Sequence, residues 1–144
     1  MVTLPDLTPQ IMALASVLRA AGFPVHVGDV AEKDPAMPYV MVQAPTGLPV
    51  SVAVCGAQVE SDDDVQVTVV DDSPLNCLRS VSVVRRALDG VLLEAPGRTC
   101  FPLKLRGSQP VLVDRDVTLV GSGRHPAYAV DVWRLASTPT DEKE

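Results

Sequence analysis

Short apolar runs separated by proline and glycine limit most strongly what this chain of 144 residues can form. Apolar residues make up 47% of the sequence, and 13 prolines and 9 glycines interrupt them. The runs reach about 8 residues, whereas a helix that spans a bilayer needs about 20, so no transmembrane helix is predicted. A chain of this size removes about two thirds of its unfolded surface from water when it folds. We therefore expect one compact domain that needs neither disulfides nor a metal.

The charge balance argues against binding to nucleic acid. Lys and Arg number 12 against 18 Asp and Glu, which leaves a net charge of −6. Proteins that hold nucleic acid neutralise phosphates with clustered cations, and this sequence has no such cluster. The cysteines, Cys55, Cys77 and Cys100, are odd in number and too widely spaced for a zinc site built on close pairs. We interpret them as reduced, mostly buried thiols, and we expect no cofactor.

A first helix is predicted over residues 8–22. A hydroxyl followed by proline favours a helix start, because the Thr8 hydroxyl can accept an unpaired amide and Pro9 has no amide to satisfy. Gly22 supplies the stop. Apolar residues recur at helical spacing along one side of this segment: Ile11, Leu14, Ala15 and Leu18.

The opposite side of this helix carries almost no charge. Its residues are Met12, Ala13, Ser16 and Ala20, and Arg19 is the one charged side chain of the helix. A helix side that meets water normally carries several charges. We therefore expect these four residues, called the first-helix face below, to be covered. A neighbouring subunit or loops of the chain itself could provide that cover.

The segment DVQVTVV at residues 64–70 gives the clearest strand prediction. Its valines alternate with Gln66 and Thr68, as in a strand with one buried face. Weaker alternation and flanking turn residues predict further strands at 25–30, 39–43, 50–54, 101–105, 111–113, 117–120 and 127–135, with a turn at 121–126.

A second helix is predicted between Ser73 and Gly90, since Ser73 and Pro74 repeat the combination of a cap and a proline. Its apolar residues fall within a narrow arc that we expect to face the sheet: Cys77, Val81, Val84 and Leu88.

The order of these elements predicts an α+β fold. We expect one mixed, mainly antiparallel β-sheet packed against two α-helices. Residues 1–136 are predicted to form a single domain, and residues 137–144, STPTDEKE, a disordered tail.

The sequence offers no evident catalytic constellation. Catalysis would need a nucleophile with a base, a pair of carboxylates in a pocket or a set of metal ligands. His26 in a strand and His125 in a turn have no Cys or Asp partner at a spacing that implies contact. Cys55 beside Gly56 is interpreted as a small buried residue rather than a nucleophile. We therefore predict that the chain is not an enzyme.

An acidic run is predicted to form a loop or the start of a strand: Glu60, Asp62, Asp63 and Asp64. Calcium favours several oxygen ligands, but the run lacks the alternation and the glycine of a calcium-binding loop. We interpret it as a loop that faces solvent or a partner. The segment GSGRHP at residues 121–126 is interpreted as a hairpin turn, because no helix follows it to form a phosphate site.

The order and content of the segments resemble a known family. An amino-terminal helix precedes MPYVMVQ at residues 37–43, and a strand then runs through a short loop into a helix as VQVTVVDDSPLNCLRSVSVVRRALDG at 65–90. PVLVDRDV at 110–117 and HPAYAVDVWRLAS at 125–137 look like the closing strands of that family. The chain resembles the tail terminator and minor tail proteins of long-tailed bacteriophages, especially those that infect actinobacteria.

The resemblance implies a virion structural protein that forms a six-fold homo-oligomeric ring on a finished tail tube. Such a ring stops the addition of tube subunits and offers a joining surface to the head-to-tail connector proteins. DNA passes through its lumen, no membrane is contacted and no cofactor is needed. The implied location is the host cytoplasm during assembly and then the head-proximal end of the tail. Residues 1–6 fit this location, because no Lys or Arg precedes their apolar residues as in a secretory signal.

Two surfaces acquire roles if a ring forms. Closed rings join one patch of a subunit to a different patch of the next, so the first-helix face is a candidate subunit interface. The acidic run is a candidate lining of the lumen, because clustered cations there would trap DNA. Two alternatives stay open. One is a head completion, connector or other minor tail protein of similar fold, and the other is a small cytoplasmic enzyme or ligand-binding domain that uses Cys55 or the acidic run.

Overall fold

Two helices and nine strands make up the fold of the described residues. The structure is a computed structural model that describes residues 6–47, 49–50 and 60–140. The helices are α1 (Thr8–Ala20) and α2 (Pro74–Leu88). The strands are β1 (Val25–Val27), β2 (Tyr39–Gln43), β3 (Pro49–Val50), β4 (Glu60–Asp71), β5 (Glu94–Ala95), β6 (Arg98–Cys100), β7 (Lys104–Ser108), β8 (Leu112–Val113) and β9 (Ala127–Pro139).

All nine strands join one mixed, mostly antiparallel sheet with β4 and β9 at its centre. The strand order is β1-β2-β4-β9-β6-β5, while β3 pairs with β4 and both β7 and β8 pair with β9. The pairing of β1 with β2 is parallel, and the other described pairings are antiparallel. Strands β4 and β9 pair without a break from Ser61↔Ser137 to Asp71↔Ala127. The predicted α+β fold in one domain is confirmed.

The hydrophobic core lies between one face of the sheet and the two helices. Val65, Val67 and Val69 of β4 and Trp133 and Leu135 of β9 point into it, and each is at most 1% exposed. The apolar sides predicted for α1 and α2 are buried against these residues. Truncation of a buried tryptophan to alanine costs about 3–5 kcal/mol, so this layer holds much of the stability. Neither of the two described helices lies on the other face of the sheet, which is called the outer face below.

The two helices begin in different ways. Ser73 caps α2 as predicted, because its hydroxyl accepts a hydrogen bond from the Asn76 amide at 3.2 Å. In α1, Thr8 is the first helical residue rather than the cap, and the Asp6 carboxylate accepts a hydrogen bond from its amide at 2.9 Å. The N-cap residue is Leu7, which offers no capping side chain, so the hydroxyl cap predicted at Thr8 is absent.

Three predicted strands differ from the structure for local reasons. Of the strand predicted at 101–105, only Lys104 and Leu105 belong to a strand, β7, because Pro102 lacks the amide that would continue the pairing from β6. Residues 117–120 form no strand, and they lead into the turn at 121–126 that was predicted correctly. The strand predicted at 25–30 ends at Val27, because Gly28 turns the chain with a φ of +80°.

The final strand is longer than predicted, because β9 continues through Ser137, Thr138 and Pro139. Cys100 and Thr99 of β6 pair with Ser137 and Thr138, which extends the ladder into the segment predicted as a disordered tail. Residues 141–144 lie outside the described part, as do Cys55 and most of the strand predicted at 50–54.

A buried ion pair ties α2 to the centre of the sheet. Asp131 lies on β9 among the core residues and is 1% exposed. Arg85 of α2 donates two hydrogen bonds to its carboxylate, from Nε and from Nη2, each at 2.8 Å. The same Nη2 donates to the Ser108 hydroxyl on β7 at 2.8 Å. One guanidinium therefore fixes the position of the helix relative to two strands.

We predict that Arg85→Ala lowers the free energy of unfolding by about 3 kcal/mol, because it leaves a carboxylate buried without its cation. Urea denaturation followed by circular dichroism measures the change. Arg134→Ala is the matched control, since Arg134 belongs to an exposed ion pair and its loss costs at most about 1 kcal/mol. Equal losses of unfolding free energy in the two variants would show that the Arg85–Asp131 pair contributes no more to stability than an exposed ion pair.

Candidate functional site

The two described cysteines are packed as core residues. Cys77 on α2 is buried, and its thiol donates a weak hydrogen bond to the Val69 carbonyl at 3.5 Å. Burial raises the pKa of the Cys77 thiol to about 11. Cys100 on β6 accepts a hydrogen bond from Nε2 of Gln10 at 3.7 Å, and burial raises its pKa as well. A nucleophilic cysteine needs the opposite shift, so these thiols have a structural role.

The two histidines also make structural contacts. The His26 ring on β1 packs edge to face against Tyr39, with ring centroids 5.4 Å apart. Nδ1 of His125 donates to the Val117 carbonyl at 2.7 Å and so closes the turn that precedes β9. Within residues 6–47, 49–50 and 60–140, no group of three or more His, Cys, Asp or Glu side chains could hold a metal ion.

The acidic run lies at the start of a strand, which is one of the two conformations predicted for it. β4 begins at Glu60, and Asp62, Asp63 and Asp64 are part of its ladder with β9. Alternate residues of a strand point to opposite faces, so Asp62 and Asp64 lie on the outer face while Asp63 points to the helix side. Pairing with β9 imposed this conformation on residues whose composition is typical of a loop.

Two arginines meet Asp62 and Asp64 on the outer face. Arg134 of β9 contacts both carboxylate oxygens of Asp62 through Nε at 3.0 Å and Nη2 at 3.1 Å. Arg106 contacts Asp62 at 3.2 Å and Asp64 at 3.3 Å. We call these four residues the acid–arginine cluster. The Arg134 guanidinium also lies 5.8 Å from the ring centre of Phe101, within the range of a cation–π contact.

A β-bulge places Arg106 in this cluster. Leu105 pairs with Trp133 and Gly107 with Val132, which leaves Arg106 as an extra residue in β7. A bulge of this kind redirects one side chain without disturbing the rest of the ladder. The hydrogen bonds from Arg134 lower the pKa of Asp62, which favours its carboxylate form beside the two guanidinium groups.

The first-helix face is open in the single chain. Met12 is 53% exposed, Ser16 and Ala20 are exposed, and Ala13 is half-buried against the edge of the core. The Ser16 hydroxyl donates to the Met12 carbonyl of the same helix at 3.0 Å, which satisfies its polar group internally. Among the described residues, no loop of the chain covers this face.

A cleft of about 850 Å³ lies on the outer face at the end where β9 begins. Its floor includes Tyr39, Val70 and Tyr128, which are neighbours across three strands. Residues 30–37 and 114–122 form its walls. Burial, and secondarily the Asp114 carboxylate, raise the pKa of Tyr39, so its hydroxyl stays neutral at physiological pH. The floor of the cleft can hold an apolar group.

Sequence reasoning missed the residues that pair across the sheet. Arg85, Arg106 and Arg134 have no local pattern that marks them, because their acidic partners are distant in the chain. Only Asp131 could have been noticed in the sequence, because it is a charged residue on the same strand face as Trp133 and Leu135. Charge at a buried strand position usually means that a partner is present.

Comparisons with known proteins give a likeness among solved structures. No protein-family model matches the chain, and no curated protein matches it. Among solved structures, a chain from the virion of the native gene transfer agent (GTA) particle has the same fold with a TM-score of 0.58. The two are 16% identical over 87% of this chain and 84% of that chain. In the described part of this protein, neither helix has the length and apolar character needed to cross a membrane.

We predict that Cys77 and Cys100 resist iodoacetamide in the folded protein. With a pKa of about 11, only about one Cys77 thiol in a thousand is ionised at pH 8. The experiment uses a Cys55→Ser background and counts modified residues by mass spectrometry. Urea-unfolded protein is the control, in which both thiols are modified. Labelling of either thiol at the same rate in folded and unfolded protein would contradict the structural role.

Proposed function

We propose that the protein is a structural component of a phage-like virion and that it serves as the tail terminator. The observation that carries the proposal is the fold shared with a virion chain over most of the length of both proteins. In this role, copies of the chain form a six-fold ring on the end of the tail tube. The ring stops tube polymerisation and presents a surface to the head-to-tail connector proteins. The protein then stays in the virion at the head-proximal end of the tail.

The first-helix face supports a role in assembly. Met12 is exposed beside small residues that would let another backbone approach closely, and no charge interrupts this side of α1. A monomer that stayed alone would leave this surface in water. In a closed ring, each subunit uses one patch to contact a different patch on its neighbour. We therefore place the first-helix face in the contact between subunits.

The acid–arginine cluster supports a position beside the DNA path. A lumen that lets DNA slide must not offer free cations to phosphate. Arg106 and Arg134 are both held by carboxylates, so neither guanidinium is free to bind a phosphate tightly. Glu60 and Asp63 add negative charge at the same end of β4. We propose that this end of the outer face lines the lumen.

The outer-face cleft favours a second candidate, a ligand-binding domain that is not part of a virion. Its apolar floor and volume of about 850 Å³ match the size of sites for small molecules. Native mass spectrometry of the purified protein separates the two candidates. A tightly bound small molecule on a monomer favours the ligand-binding domain, whereas oligomers without one favour the ring. A head completion or other minor tail protein would form oligomers without limiting tube growth.

We predict that the purified protein limits the growth of tail tubes and that Ala20→Arg abolishes this effect. Negative-stain images give the tube lengths, and light scattering gives the size of the free protein. An arginine in the middle of a close contact prevents docking, while at this exposed position it changes the unfolding free energy by about 0.5 kcal/mol or less. Ser82→Arg, on the exposed side of α2, is the control that leaves assembly intact.

Rings of about six subunits in the wild type, or a monomer that caps isolated tubes, agree with the proposal. Normal ring formation and normal tube length in the Ala20→Arg variant would remove the first-helix face from the interface. Tubes that grow equally long with and without the wild-type protein would contradict the terminator function itself.

We also predict that the double variant D62N/D64N gains affinity for duplex DNA, because Arg106 and Arg134 lose their counter-charges. Fluorescence anisotropy with a labelled duplex at low salt should show binding at least about tenfold tighter than that of the wild type, and binding should weaken as salt rises. The variant D29N/E32Q makes the same change in net charge in an exposed loop and frees no arginine of the cluster. Equal affinities in the two double variants would show that the acids do not mask the arginines.

A further inference from the structure

An apolar projection stands at one edge of the sheet. Residues 112–126, called the arm below, connect β8 to β9 and include β8 itself. Val120 at the tip of the arm is 85% exposed, more than any other large apolar side chain in the described part of the chain. Leu112, Val113 and Val117 of the arm are also exposed. Large apolar side chains that cluster on a surface commonly mark a contact with another molecule.

Hydrogen bonds within the arm hold its tip in one shape. The Leu119 amide donates to the Arg124 carbonyl at 2.7 Å, and the Gly123 amide donates to the Leu119 carbonyl at 3.2 Å. Gly121 and Gly123 adopt positive φ angles of +93° and +68°, which other residues rarely allow. At the base of the arm, the Asp114 amide donates to the Pro126 carbonyl at 2.8 Å. Val120 is therefore presented on a preformed turn, which lowers the entropy cost of docking.

An apolar groove lies at the other edge of the sheet. It has a volume of about 450 Å³ and lies between the start of α1, the end of β1 and the chain that follows β2. Leu7 and Ile11 form its buried floor, and Met12, Val27 and Pro45 form its sides. We call it the N-terminal groove. Because Met12 also belongs to the first-helix face, the groove and that face form one continuous surface.

The topology places the arm and the groove on opposite sides of the subunit. β1 is one end of the strand order, whereas β8 pairs with the side of β9 that is turned away from β4 and β2. A cyclic ring requires two different, complementary patches on opposite sides of each copy. A projection at one edge and a cavity at the other satisfy this requirement, whereas two projections or two cavities would not.

The charges at the tip of the arm and at the rim of the groove are opposite, while Asp114, Arg115 and Asp116 lie nearer the base of the arm. Near its tip the arm carries the exposed Arg124, and no described side chain pairs with that guanidinium. The rim of the groove carries Asp6, whose carboxylate is bonded to the Thr8 amide and keeps a lowered pKa, so it is ionised at neutral pH. Asp29 follows β1 near the same edge. An arginine that approaches this acidic rim is attracted to it.

We propose that the arm of one copy docks into the N-terminal groove of the next copy, with Val120 as the apolar contact and Arg124 facing Asp6. This inference rests on the proposed ring and specifies the contact that closes it. The occupant of the groove is therefore a second copy of this chain, and the first-helix face lies beside the docked arm.

Cysteine crosslinking tests this contact directly. In a Cys55→Ser background, one preparation carries Val120→Cys and a second carries Thr46→Cys, which lies on the exposed rim of the groove. The two are mixed at concentrations up to the millimolar range and treated with a short bismaleimide. We expect a covalent dimer in the mixture and not in either preparation alone. A chain that carries both changes should give a ladder of oligomers.

Two controls identify a specific contact. Ser82→Cys replaces Thr46→Cys in a parallel mixture and measures random collision, since Ser82 is exposed on α2 away from the groove. Val120→Asp should weaken self-association about tenfold or more, whereas Leu78→Asp makes the same change at another exposed apolar residue and should not. Unfolding by urea confirms that both aspartate variants fold, as expected for exposed positions.

Several results would overturn the inference. These are crosslinking of Val120→Cys to itself, equal crosslinking to Ser82→Cys, and a chain that stays monomeric and uncrosslinked at the highest concentration. The tube-length assay is read separately. A wild-type protein that limits tube growth while the arm and groove do not crosslink removes this contact and leaves the terminator function intact. Crosslinking of the arm to the groove without any effect on tube length supports this contact and contradicts the terminator function.

Discussion

The uninterrupted antiparallel pairing of β4 with β9 is the constraint on which the rest of the structure depends. It runs from Ser61↔Ser137 to Asp71↔Ala127 and sets which side chains of both strands share a face. A shift of one residue would exchange the two faces and move Trp133 from the core to the outer face. Every other described strand except β1 and β5 pairs with β4 or β9, and α2 packs on both. This register determines the positions of the core, the acid–arginine cluster and the cleft.

Local patterns in the sequence predicted the elements better than the contacts between them. The alternating valines of β4, the apolar arcs of both helices and the Ser73 cap depend on neighbours within a few residues, and these features are present as predicted. For the run Glu60–Asp64 the sequence left a loop and a strand start both open, because its conformation depends on β9, about 70 residues away. The conformation of residues 137–139 likewise depends on a distant segment, because they extend β9 by pairing with β6. Tertiary pairing overrides local propensity at these places.

The proposed contact surfaces could be predicted from the sequence only where all their residues lie in a single helix or strand. The lack of charge on the first-helix face is visible in the sequence of a single helix. The acid–arginine cluster needed two strands and a bulge at Arg106, and no spacing in the sequence indicates a bulge. Residues 117–120 have a β-branched composition that predicts a strand, yet Gly121 and Gly123 fold them into the tip of the arm. Such residues can form either a turn or a strand, and the positive φ angles of the two glycines favour the turn.

Because both described helices pack on the same face of the sheet, the residues on its two faces are under different constraints. Side chains that point toward the helices, such as Trp133 and Asp131, must suit one another for the chain to fold. Exposed side chains on the outer face, such as Arg106 and Arg134, meet neither of the described helices, so substitutions there change which molecules can approach without unsettling the packed layer. Such a protein can diverge rapidly on one side and still keep its architecture.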